Sequence, residues 1–329
     1  MSRRTRRGAI AFLAMLVLIL PTVSFVTMQG AAAPPMPIPP GTISPTTIPK
    51  YVNQLTGPPP VYEPTAWFNT TAGRTEHNYT VSMTQFTQQI LPTGFPATTV
   101  WGYGGNAKDA LTGASLGFVA NSPAPSFEAL RGVPINVKWV NQLTGNHMFA
   151  VDPTLHWADP NGLGMLTPPF QTFPPGYALA QSNVTVIPHV HGLEVQSTSD
   201  GNPDAWWTAS GTKGSAYNTH VPTDSNAAVF YYPNEQPPTT LWYHDHALGI
   251  TRINVMSGLA GFYLLRDPLN DTVAPLLPSG AYEVPLAIQD RTFKTNGDFW
   301  FDTVGVNPTI HPYWMPEFFG NTIMVNGLV

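Results

Sequence analysis

The chain contains no cysteine. Disulfides and thiolate metal ligands are therefore excluded. Charge is scarce as well, at 10 % of residues, and the net charge is a mild −5. No basic patch interleaved with aromatics occurs outside the N-terminus, so nucleic acid is not an expected partner. No long amphipathic helical pattern stands out either. What the chain has instead is proline, 36 residues in 329, together with many Thr, Val, Tyr and Trp. That mixture favours strands and turns.

Residues 1–33 read as an export signal. Ser2-Arg3-Arg4-Thr5-Arg6-Arg7 is a basic head, Ala9 to Val26 is nearly all apolar, and Gly30-Ala31-Ala32-Ala33 offers small residues for cleavage. The paired arginines are compatible with a twin-arginine route. An uncleaved anchor is the other reading, since the apolar run is nearly long enough to span a bilayer. Residues 34–60 form a Pro-rich extended segment.

Strand-like runs follow: His77 to Met83, Thr98 to Tyr103, Pro134 to Asn141, Ala228 to Tyr232 and Leu259 to Leu265. Gly, Pro and Asn punctuate them, as in a β-sandwich. Lys50 to Gly57 nearly repeats Lys138 to Gly145, but two copies make no solenoid. The pattern predicts one domain over 61–268, a linker over 269–280, and the incomplete start of a second domain over 281–329. Strands are expected there at Tyr282 to Ile288 and Thr322 to Gly327.

The chemistry lies in two short motifs, His189-Val190-His191-Gly192 and His244-Asp245-His246. Each follows an apolar, β-prone run. Strand side chains at i and i+2 leave one face, so each pair aims two imidazoles the same way. If the strands are neighbours, four imidazoles converge. Imidazole suits copper, zinc, iron and nickel. Asp245 is expected to point away from its flanking histidines. Trp206, Trp207, Trp242 and Tyr243 read as core aromatics around the site. His77, His147, His220 and His311 read as ordinary histidines. Cupins also carry His-X-His, with a Glu four or five residues on; here Glu194 comes three after His191, and Val195 and Gln196 follow.

Taken together, the motifs resemble the multicopper oxidases, in particular the branch of bacterial spore-coat laccases and bilirubin oxidases. The resemblance rests on Ile48 to Val52, Thr98 to Tyr103, Val137 to Asn141, His189 to Gly192 and Ser199 to Trp206. It continues through Leu241 to Ala247, Asn254 to Gly261, Asp290-Arg291-Thr292 and Thr322 to Gly327. His156 falls in a segment similar to the family but is no copper ligand there.

The resemblance implies an all-β, cupredoxin-like Greek-key β-sandwich, followed by the incomplete start of a second cupredoxin domain. It implies copper as the cofactor, with dioxygen and a reducing substrate as reactants. By the family pattern His189 would bind the type 2 copper, His191 and His244 one type 3 copper, and His246 the other. Asp200 matches an acidic residue that manages protons near that cluster; the local alternative is a turn Asp ahead of Gly201.

The departure from the family is large. Its third and fourth histidine motifs are missing, and a blue type 1 copper needs a thiolate that this chain lacks. The expectation is the N-terminal part of a laccase-like oxidase, inactive alone, whose further cupredoxin domains are its missing partners. A standalone cupredoxin-like copper-binding module without oxidase activity is the alternative.

Overall fold

Alternation between apolar and polar side chains makes strands of most of this chain. The structure, a computed structural model, describes residues 38–329 except 56, 154, 164–179 and 303–313. The expected export signal and His311 lie outside the described residues.

The strands in chain order are β1 (Val61–Tyr62), β2 (Thr65–Asn69), β3 (Arg74–Gln88), β4 (Thr98–Lys108), β5 (Ser115–Asn121) and β6 (Ala124–Leu130). Next come β7 (Ile135–Asn141), β8 (Thr185–Val186), β9 (Pro188–His191), β10 (Trp207–Thr208) and β11 (Ala227–Tyr232). Among the described residues, β12 (Thr239–Asp245), β13 (Ala260–Arg266), β14 (Ile288–Phe293), β15 (Phe299–Trp300) and β16 (Thr322–Val325) follow, with a short helix, α1 (Thr251–Ser257), between β12 and β13.

The all-β expectation is met. An eleven-stranded sheet runs in the order β11-β7-β3-β4-β1-β6-β13-β12-β9, with β2 on β3 and β5 on β4. It curls into a half-barrel. Its parallel pairs, β3–β7, β1–β6 and β6–β13, join strands far apart in sequence. Such pairs need crossovers rather than hairpins. A separate three-stranded sheet runs β15-β14-β16.

Phe127 anchors the core. Its ring lies 4.7 Å from Tyr62, 5.1 Å from Tyr79, 5.2 Å from Tyr243 and 5.5 Å from Tyr263. These side chains are buried, and such tilted and edge-on aromatic pairs add to the burial energy. Tyr243 ties this core to β12. It donates its hydroxyl to Pro125 O at 2.8 Å, and its ring lies across the backbone of Gly261, where any Cβ would stand 2.6 Å from the phenol.

Two expectations need correction. Tyr282 to Ala287 is not a strand: Gly280–Tyr282 forms a short 3-10 turn and the ladder begins only at Ile288. Pro285 has no N–H to give a ladder. Trp242 is not a core residue either, being 40 % exposed. The alternation of β12 sends it to the histidine face, while Trp206, Trp207 and Tyr243 are buried.

Candidate metal centre

The two histidine motifs lie on neighbouring antiparallel strands. β9 pairs with β12 so that His189 stands opposite His244 and His191 opposite Trp242. Alternation turns Val190, Tyr243 and Asp245 inward, where all three are buried. The ladder continues one step past β12, since His246 N–H donates to Ile187 O at 2.8 Å. The sheet thus delivers His189, His191, His244 and His246 to one face. Ring centroids lie 4.6 Å apart for His189–His246, 5.4 Å for His189–His244 and 5.6 Å for His191–His244. Donor nitrogens of His189, His191 and His244 fall within 4.8 Å of one another.

Backbone carbonyls select the tautomers. His189 Nδ1 donates to Asp200 O, His246 Nδ1 to Gly201 O at 2.8 Å, and His244 Nδ1 to Asp245 O at 2.7 Å. With the proton held on Nδ1, each Nε2 keeps its lone pair free for a metal. Two successive carbonyls of one turn therefore fix one histidine from each motif. Gly201 makes that turn at φ +84°, and a Cβ there would stand 2.4 Å from Pro188 O. His191 differs. It offers Nδ1, which lies 3.4 Å from His244 Nε2. Two nitrogens that bind one metal at ~2.0 Å each stand about 3 Å apart, so this spacing fits a shared ion.

Burial favours the neutral form of two of these histidines. It pulls His189 below the ordinary histidine value and takes His244 down to about 4, with the neighbouring imidazoles adding a smaller push the same way. A neutral imidazole is the ligating form. Trp242 covers the outer side, with its ring 4.1 Å from His244 and 5.4 Å from His191.

Asp200 lies behind His189. Its Oδ1 is 3.3 Å from His189 Nδ1, and its side chain is 46 % exposed. Asp245 serves structure. Its carboxylate accepts from Ile187 N–H at 2.9 Å, Ala247 N–H at 3.0 Å and the Asn254 amide at 2.7 Å. Burial raises it to about 6 against the pull of those donors.

Sequence reasoning missed what stands behind Asp245. Asn254, on α1, also donates to Thr185 O at 3.0 Å and faces His147 Nε2 at 2.8 Å through its Oδ1. Phe149 N–H donates to His147 Nδ1 at 2.9 Å, so the His147 proton sits on Nε2 and is given to Asn254. Burial holds His147 near 4. The chain Phe149–His147–Asn254–Asp245 is thus a satisfied buried network that ends beside His244 and His246. A polar Asn254 set between Ile253 and Val255 was the sequence signal. The other described histidines stay apart: His77 is half-buried, His156 is exposed, and His220 is exposed and stacks on Tyr231 at 5.1 Å.

The donor set fits copper held by imidazole alone. It does not fit a site that needs a thiolate, because the chain has no cysteine. No family model matches the chain. Among curated proteins, the chain is 37 % identical over 238 residues to multicopper oxidase LPR2 of Arabidopsis thaliana, covering 70 % of this chain and 34 % of that protein. It is 33 % identical over 254 residues to a laccase of Bacillus subtilis strain 168, covering 76 % of this chain and 41 % of that protein. The chain therefore matches little more than a third of the length of these relatives. Among solved structures, a laccase from Pediococcus acidilactici superposes with a TM-score of 0.52 at 19 % identity, over 86 % of this chain and 43 % of that one. A multicopper oxidase from Aquifex aeolicus gives a TM-score of 0.50 at 18 % identity, over 84 % of this chain and 42 % of that one. These two superpositions show the shared fold.

Proposed function

The chain is related by sequence to the multicopper oxidases and laccases over about 70 % of its length, and from that premise we propose that it is the copper-holding N-terminal part of a laccase-like oxidase. The activity proposed for the whole enzyme couples one-electron oxidation of a reducing substrate to the reduction of dioxygen to water. The observation that carries this reading is the alignment of β9 with β12, which gathers four histidines with three of them fixed as Nδ1–H tautomers.

In this proposal His189 holds a type 2 copper, His191 and His244 share one type 3 copper, and His246 holds the other. The 3.4 Å separation of His191 Nδ1 and His244 Nε2 supports the shared position. Copper held there would supply the redox chemistry for reducing dioxygen. The chain's own residues orient these histidines, and burial favours the neutral form of His189 and His244. Asp200, half-exposed and 3.3 Å from His189 Nδ1, manages protons between solvent and the site.

A type 1 copper needs a thiolate, and none exists in this sequence. The proposed cluster also takes histidines that this sequence does not supply. Further cupredoxin domains carrying those groups are its proposed partners. The basic and apolar residues 1–33 support export from the cytoplasm as the proposed destination.

The experiment is oxygen uptake by the purified, copper-loaded chain with a phenolic reductant. The expected result is bound copper with no turnover. Sustained phenol oxidation by the chain alone would refute the proposed division of labour. A copper-holding module with no oxidase partner is the second reading, favoured by the same lack of cysteine. Restored turnover on adding a polypeptide that bears the missing histidines and cysteine separates the two.

A further inference from the structure

The eleven-stranded sheet carries the histidine motifs at one end of its strand order, on β9 and β12, and an open cleft of about 590 Å³ at the other. That volume falls in the range of small-molecule sites, roughly 300–1,000 Å³. Trp67, Asn78, Thr80, Asn136, Lys138 and His220 line the cleft. It lies on the solvent face of β2, β3 and β7, since alternation sends Val81, Val137 and Trp139 into the core on the other side.

The cleft floor is organised from beneath. Glu76 is 3 % exposed. Its carboxylate accepts from the side-chain amide of Asn69 at 3.0 Å and from that of Asn136 at 2.9 Å. Asn136 gives its second amide hydrogen to Asn78 Oδ1 at 3.1 Å. These bonds fix which way both amides turn. They leave Asn136 Oδ1 and Asn78 Nδ2 without a partner among the described residues, and neither atom is buried. Asn78 stands beside Asn136 in the β3–β7 ladder, so a free donor and a free acceptor open side by side. Beside Glu76, in the β2–β3 ladder, stands Trp67, with 48 % of its surface exposed. The two charges that line the cleft are already paired, Glu76 with Arg74 at 3.5 Å and Lys138 with Asp224 at 2.5 Å. What the cleft offers a ligand is therefore an indole face and neutral hydrogen-bonding groups.

We propose that this cleft binds a neutral saccharide whose pyranose rings carry equatorial hydroxyls, such as the glucose units of cellobiose. Equatorial hydroxyls lie around the ring edge and leave the two C–H faces apolar. One such face covers the exposed Trp67 ring. A hydroxyl both donates and accepts, so neighbouring hydroxyls give a proton to Asn136 Oδ1 and take one from the Asn78 amide. Glu76 has fixed those amides beforehand, so binding orders few side chains. The open mouth leaves the outward hydroxyls hydrated.

The test is a nuclear magnetic resonance titration of the full metal-free chain with cellobiose, following the Trp67 indole N–H and the Asn78 side-chain amide. Sorbitol is the control, because it carries hydroxyls without a ring face. The expected result is a saturable shift of both resonances with a Kd on the order of millimolar, and a response to sorbitol at least about tenfold weaker. Binding should hold its strength as salt is added, since no free charge is engaged. Asn78→Ala, read at Trp67, should bind cellobiose at least about fivefold more weakly, and Trp67→Ala, read at Asn78, at least about tenfold. Neither side chain belongs to the core, and the comparison with sorbitol uses the unmutated chain. No shift with cellobiose, an equal response to sorbitol, or unchanged affinity in either variant would overturn the proposal.

Discussion

The side-chain amide of Asn254 donates to Asp245 Oδ1 at 2.7 Å. This bond couples α1 to the residue that separates His244 and His246. Asp245 in turn holds Ile187 N–H and Ala247 N–H, one on each flanking strand end. The histidine face is set from behind by this carboxylate.

Asn254→Leu tests that relationship. It removes the donor to Asp245 and Thr185 and strands the Nε2–H of His147. Loss of a buried hub of this kind should cost about 2–4 kcal/mol, measured by urea denaturation of the metal-free chain. Copper affinity should fall by roughly 10-fold or more, as it does when the groups behind metal ligands are removed. Unchanged copper affinity would show that Asn254 supports only the fold.

Gly201→Ala attacks the turn that backs one histidine of each motif. The added Cβ meets Pro188 O at 2.4 Å and His189 Cβ at 3.0 Å, in a backbone conformation at φ +84° that side chains disfavour. The turn must shift, and with it the carbonyls that hold His189 and His246. We expect destabilisation of about 1–3 kcal/mol with weaker copper binding, read by thermal melting and copper titration on the same samples.

Acid should loosen the metal-free chain. His147 titrates near 4 in the native chain but at the ordinary 6.5 when unfolded, because burial disfavours its charged ring. Between those values the unfolded chain binds a proton that the native one does not, so stability falls as pH drops through the window. His244, also held near 4 by burial, acts in the same direction. Asp245, raised to about 6 by burial, acts oppositely, since the native chain takes up its proton first on the way down to 3.8. Two histidines outweigh one carboxylate. The urea midpoint should therefore be lower at about pH 4.5 than at about pH 7, and His147→Gln should narrow the gap between them.

Much of this was legible in the residues. The His-X-His spacing put each pair on one face; the β-prone run before the second pair became β12, whereas the run before the first gave only the short β8, and β9 is the first motif itself. Their adjacency was not legible, because it depends on a ladder between residues some fifty apart. β6 was not among the expected strands, yet Ala124 to Leu130, despite Pro125, pairs in parallel with β1 and β13. Tyr282 to Ala287 failed the other way, since its apolar run ignored the effect of Pro285. The roles of Gly201 O and Asp200 O were invisible in principle, because a backbone carbonyl carries no sequence signature. The exposure of Trp242 followed from its alternation with Tyr243, a step the apolar character of the run concealed.

Copper titration of the metal-free chain, followed by optical and electron paramagnetic resonance spectra, tests the central claim most directly. The account predicts bound copper with nitrogen hyperfine coupling and no intense blue thiolate band, and it predicts that copper binding disappears when His189, His191, His244 and His246 are together replaced by Ala. Copper retained with the same spectrum after that replacement would contradict it.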